Sequence, residues 1–279
     1  MDWLLEPFTF GFMQRGLAAG VLAGIACAVL SAFVVWRRMA FVGDAMAHTI
    51  LPGVVIAFLR GANLFVGALI AAIITALGIG WFSRDREVRE DTAIGVMFSG
   101  FFALGILLLS RVSSYRDLTH ILFGDILGVS AADLWIIGGV TVLVMAAVAL
   151  FYKELLLTSF DPGHAVAIGL SPELVRYGLL ILLALTVVAA IQAVGVVMVI
   201  ALLVTPAAAA SLLVRQLPRI MALGALFAVV SALVGLYASY YGNVASGAAI
   251  VLTLTGIFLL AFLFAPGRGL LWRTRRGAT

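Results

Sequence analysis

The chain has 279 residues, of which 64% are hydrophobic and 11% charged, and its mean hydropathy is +1.22. That composition excludes a soluble domain built around one core and specifies an integral membrane protein. The formal charge of +4 is no sign of nucleic-acid binding, because the basic residues sit in short segments between apolar runs. The single cysteine, Cys27, lies inside such a run, which rules out an intrachain disulfide and a zinc-finger module.

Runs long enough to cross a bilayer, about 20 residues, occur nine times, with eight spans and one non-crossing run as the alternative. Residues 1–14 contain Asp2 and Glu6 and lack the basic start of a cleaved signal peptide, so they read as an external interfacial segment. The first span, 16–36, carries Gly16, Gly20 and Gly24 as a smooth stripe for close helix approach and is closed by Arg37 and Arg38. The second follows a turn at 39–43, carries Asp44 and His48, and is interrupted by Pro52 and Gly53. A third span, 63–82, leads through a mixed-charge loop to the fourth, 92–110, whose opening Glu90, Asp91 and Thr92 suit the positive end of a helix dipole.

The polar connection 113–130 holds Arg116, Asp117, His120 and Asp125, and the fifth span covers 131–152. In the polar interval 153–174, Asp161 as cap, Pro162 as first helical residue, and Gly169 with Pro172 as terminators predict a short helix outside the bilayer. Such a helix cannot bury both faces alone, so it reads as a docking element for another protein. The sixth and seventh spans, 175–194 and 195–214, nearly merge at a bend marked by Gln192 and Gly195. Thr205 and Pro206 break the backbone ladder of the seventh, and the eighth (220–241) and ninth (246–264) precede a tail, 266–279, with four arginines.

With nine spans, thirteen of the 17 basic residues fall on the side of Arg37, Lys153 and the tail, and only Arg15, Arg60, Arg111 and Arg116 on the other. The positive-inside rule then sets the N-terminus outside and the C-terminus in the cytoplasm. The short helix at 161–169 becomes cytoplasmic and the His120 loop external.

Asp44 and His48 stand four residues apart, on one face of a helix within an apolar span. Ionisable side chains in lipid mark a pathway for an ion or proton, and a carboxylate beside an imidazole suits zinc or manganese better than calcium or magnesium. The plainer reading makes Asp44 an N-cap and His48 a hydrogen-bonding partner of a neighbouring helix. Two ligands fall short of the roughly four that zinc takes, and a two-fold homodimer would supply the rest. No G-x-x-x-x-G-K-[ST] is present, so this polypeptide does not hydrolyse ATP through a P-loop. Transport would draw on an ion gradient or on a separate ATPase.

The segments 37–48 (RRMAFVGDAMAH), 90–95 (EDTAIG), 122–127 (LFGDIL), 160–162 (FDP) and 194–209 (VGVVMVIALLVTPAAA) closely resemble, in the same order, the permease subunits of zinc/manganese-type ABC importers. The resemblance implies an all-α polytopic permease of the type II, vitamin B12-importer-like architecture, a single domain spanning 1–279, in the cytoplasmic membrane of a prokaryote. It implies a second copy of the chain, two cytoplasmic ATP-binding subunits and an extracytoplasmic metal-binding protein as partners. Zn2+ or Mn2+ would be the cargo, with no permanently bound cofactor. By position, Asp44 and His48 match the family's intramembrane metal site. The segment 160–170, with Phe160, Asp161, Pro162, Ala165, Ile168 and Gly169, matches the segment that couples to the ATPase. Many relatives have serine where this chain has Ala47, which bears on fine selectivity alone. His120 matches no motif and is a candidate for external metal entry. A proton-coupled secondary metal carrier is the alternative function, and a membrane hydrolase is disfavoured by the lack of His-Glu-x-x-His and Gly-x-Ser-x-Gly. Ligand type constrains softness more than identity, so zinc, manganese and iron all remain open.

Overall fold

The computed structural model describes residues 6–84, 88–111 and 126–265. His120 and the basic tail lie outside them. After a 3-10 turn at Glu6–Thr9, the helices are α1 (Gly11–Trp36), α2 (Val42–Thr49), α3 (Leu51–Leu59), α4 (Leu64–Phe82), α5 (Glu90–Leu109) and α6 (Ala131–Leu150). They continue as α7 (Tyr152–Phe160), α8 (Pro162–Ala167), α9 (Pro172–Val194), α10 (Val196–Leu213), α11 (Leu217–Gly242) and α12 (Ser246–Phe264). Taking α2 and α3 as one broken helix, nine helices among the described residues are long and apolar enough to cross a membrane.

Their ends follow local chemistry. Asn63 caps α4 by accepting from the Phe65 and Val66 amides, and Ser130 forms a reciprocal capping box with Asp133 at the start of α6. Two departures from the hydropathy reading have physical causes. Helix α1 begins at Gly11 rather than near residue 16, because Arg15 turns its Nε back to the Gly11 carbonyl (3.3 Å) and so does not interrupt the helix. The interval after the fifth span is not irregular chain either. It contains α7, nine residues set off from α6 by Phe151, with Leu155 and Thr158 buried.

The bundle is built around α1, which packs on α6, α9, α10 and α11. Of its central window 72% is buried, against 22% for α5 and for α6 and 17% for α12. Small residues let its neighbours approach: a Cβ on Gly24 would come within 3.1 Å of the Ala228 Cβ on α11. Helices α1, α10, α11 and α12 form one group and α3, α4, α5 and α9 another. Short α2 lies at the seam, touching α4, α5, α9 and α10. Buried hydroxyls join helices where lipid offers no water: Ser31 donates to the Val204 carbonyl (3.4 Å) and Thr141 to the Leu22 carbonyl (3.1 Å).

Candidate metal-transport site

Asp44 is in the first turn of α2 and His48 in its last. One helical turn brings His48 Nε2 to 3.4 Å from Asp44 Oδ1, and both side chains remain partly open, 35% and 39% exposed. That separation is too long for a strong hydrogen bond. It equals the gap of about 3.4 Å between two ligand atoms that sit roughly 2.1 Å from a tetrahedral ion. Among the described residues, no third His, Cys, Asp or Glu joins them. The described residues therefore present two neighbouring donor groups and no closed metal site.

The backbone around the pair is shaped by three small or cyclic residues. Gly43 lies under Leu203 of α10, whose Cδ1 would be 2.8 Å from an added Cβ, so a side chain beside Asp44 would require Leu203 to shift. Pro52, at the start of α3, has no amide to give the His48 carbonyl four residues earlier, and the helix is divided at Ile50. Gly53 serves a backbone crossing: a Cβ on it would lie 2.1 Å from the Gly67 carbonyl of α4, and one on Gly67 2.4 Å from the Gly53 carbonyl. The half-helix that follows the site is thus held by a close backbone contact between α3 and α4.

Sequence reasoning passed over two residues at the site. Phe98 and Phe102 of α5 present their rings edge-on to His48, at centroid distances of 5.8 and 5.4 Å, and stack on each other at 5.7 Å. They limit the directions the imidazole can take. The available signal was their spacing of four on the fourth span, which places both rings on one stripe.

The other residues singled out from the sequence lie elsewhere. Gly195 alone separates α9 from α10 and has φ +84°. Thr205 and Pro206 lie inside α10, with Pro206 buried and Gly224 of α11 packed on its backbone. Phe160, Asp161, Pro162, Ala165, Ile168 and Gly169 form one compact unit. Asp161 Oδ1 accepts from the His164 amide (2.9 Å), and Gly169, at φ +84°, closes α8 as the Leu170 amide reaches the Ala165 carbonyl (2.9 Å). Ala165 faces inward while Phe160, Val166 and Ile168 are 49%, 61% and 56% exposed, with the Trp36 ring packed against Phe160 at 4.4 Å.

The sequence profile of the ABC 3 transport family matches residues 9–265. This chain belongs to that family. It is 47% identical over 267 residues to the manganese transport system membrane protein MntC of Listeria innocua serovar 6a, covering 96% of this chain and 95% of that one. It is also 39% identical over 267 residues to the probable iron transport system membrane protein of Haemophilus influenzae, covering 96% and 98%. Among solved structures, PsaBC from Streptococcus pneumoniae in complex with Fab superposes with a TM-score of 0.85 at 36% identity, covering all of this chain and 99% of that one. The protein is a multi-pass permease subunit of a zinc/manganese-type ABC importer. It is not itself an enzyme, and the ATPase of such a transporter is a separate subunit.

Proposed function

We propose that this permease carries a divalent transition metal inward, with Mn2+ the leading cargo and Zn2+ and iron its competitors, and that Asp44 and His48 are the ligands the ion meets within the membrane. The observation that carries the reading is the 3.4 Å approach of a carboxylate oxygen and an imidazole nitrogen inside an apolar span. Oxygen and nitrogen donors without thiolate suit these ions, and manganese is named in the relative at 47% identity. The half-open pair supports a second copy of the chain as the source of further ligands.

The basic residues favour a cytoplasmic C-terminus. In that orientation α8 and the exposed Phe160, Val166 and Ile168 face the cytoplasm, where an ATP-binding subunit would dock. An extracytoplasmic protein would deliver the ion to the opposite end. ATP binding and hydrolysis in the docked subunits would then expose the Asp44 and His48 wall alternately to the two sides.

The test is uptake of 54Mn2+ by proteoliposomes that hold the permease with its ATPase subunits, competed with Zn2+ and Fe2+. Uptake that needs ATP and is lost in Asp44→Ala and His48→Ala complexes of normal assembly is expected. Normal uptake by both variants would defeat the site assignment, and uptake that follows a proton gradient without nucleotide would defeat the ATP-driven mechanism.

A further inference from the structure

Helix α7 follows α6 after a single residue, Phe151, and is fixed in rotation by the end of α1. Arg37 donates from Nε to Ser159 Oγ (3.0 Å) and from Nη2 to Thr158 Oγ1 (3.2 Å), while Trp36 packs on Phe160 at 4.4 Å. On another side α7 meets α9, which Arg176 ties to α4 through the Gly80 and Ser83 carbonyls (2.8 and 2.9 Å). Two clefts result. Glu154 and Leu155 line the first, of about 430 Å³, against α6 and α9. Lys153, Leu156, Leu157 and Phe160 line the second, of about 710 Å³, against the joint between α10 and α11. Their spacing of three, four and seven residues makes one helical stripe, apolar apart from the lysine that leads it.

The opposite wall of this second cleft is the three-residue connection from α10 to α11. Arg215 and Gln216 face the cleft, with Leu217 and Pro218 of α11 below them. Neither Lys153 nor Arg215 has an ion pair among the described residues, and no carboxylate is among the residues lining the cleft. Gln216 gives the start of α11 no side-chain cap, so the positive end of that helix dipole adds to the two cations. The depth of the cleft is set by the spans around it. It lies where α6 and α10 end and α11 begins, at the boundary between acyl chains and headgroups. Exposed Leu150 and Leu213 mark that boundary on the two spans that end there. An apolar cleft of this depth with two unopposed cations at its mouth matches a molecule that is anionic at one end and apolar at the other.

We propose that this cleft holds an anionic phospholipid, with its phosphate between Lys153 and Arg215 and its upper acyl chain along Leu156, Leu157 and Phe160. A zwitterionic lipid would bring a second cation to a mouth that already holds two, whereas phosphatidylglycerol brings only the phosphate charge. In the orientation favoured by the basic residues the lipid belongs to the cytoplasmic leaflet. Phe160 is also the residue before the cap of α8, so the lipid supports the root of the exposed docking unit from the membrane side. The assignment does not depend on which metal is carried.

The experiment is native mass spectrometry of the detergent-solubilised complex of the permease with its ATPase subunits. The complex is titrated with phosphatidylglycerol, with phosphatidylcholine of the same chains, or with soluble glycerol phosphate. One phosphatidylglycerol per permease chain should bind about ten-fold more tightly than phosphatidylcholine, as two surface cations allow. Lys153→Gln with Arg215→Gln should bring that preference to within about two-fold. Arg38→Gln with Arg89→Gln, an equal loss of charge outside the cleft, should leave it unchanged. Leu157→Asn should weaken both lipids several-fold and keep the preference. Should the double cleft variant fail to assemble, Lys153→Gln alone carries the test, with an expected loss of about three-fold. No preference in the native complex overturns the proposal, and so does an unchanged preference in the cleft variants. Glycerol phosphate binding as tightly as the lipid would reduce the cleft to a simple anion site and also overturn it. Loss of the ATPase subunits from the cleft variant with lipid preference intact would assign the cleft to a docked protein instead.

Discussion

The wall at Asp44 and His48 and the joint at Arg37 are both places where charge enters an apolar bundle, and they are built in opposite ways. At the wall the two groups stand 3.4 Å apart, a third or more exposed, steadied by ring edges. At the joint one guanidinium holds two hydroxyls, a neighbouring guanidinium holds two carbonyls, and a pair of aromatic rings closes over the contact. An open pair leaves donor capacity for an ion, whereas at the joint most of the guanidinium capacity is spent on holding α1 to α7 and α9 to α4, with the Arg176 Nε and one Glu90 oxygen left without a hydrogen bond among the described residues.

The contrast can be broken most severely at the wall. Asp44→Ala or His48→Ala should reduce Mn2+ uptake to background while the ATPase subunits still copurify, since among the described residues the two side chains pair with each other and only the Phe98 and Phe102 rings flank His48. Next in size, Gly53→Leu should disturb the clamp between α3 and α4: with the Gly67 carbonyl at 2.1 Å there is no room for a side chain. Overpacking of this kind costs about 1–3 kcal/mol, which thermal unfolding in detergent would register as a lowered midpoint. At the docking unit, Asp161→Ala removes the cap of α8 at about 1 kcal/mol, and Gly169→Ala places a Cβ at φ +84° for about 1–2 kcal/mol. Both should weaken retention of the ATPase subunits on copurification and leave Mn2+ binding intact. The smallest effect sharpens the comparison: Phe98→Ala frees the imidazole and should weaken Mn2+ binding about two- to ten-fold, read by competition titration.

Much of this was legible in the sequence because lipid leaves few options. An apolar run of bilayer length must be a helix, and the predicted spans fall within a few residues of the observed ones except at the start of α1, where Arg15 sits inside the helix. Asp161, Pro162 and Gly169 spell out both ends of α8 because capping is local chemistry. The pairing of Asp44 with His48 follows from helical spacing alone. The ring wall was not legible: Phe98 and Phe102 are two among 18 phenylalanines, and only the packing of α5 on α2 selects them. Helix α7 was missed because its polar residues look like loop until Thr158 and Ser159 are seen to turn toward Arg37. Gly53, which the sequence marks only as part of the interruption in the second span, is also a point where the α3 and α4 backbones touch.

One corner of the bundle constrains how any opening can happen. Helices α9 and α10 are joined through Gly195 alone, and both of them touch α2. With one residue at the elbow, a tilt of either leg has to be taken up by the Gly195 backbone or passed on to the other leg, and α2, which carries Asp44 and His48, packs against both.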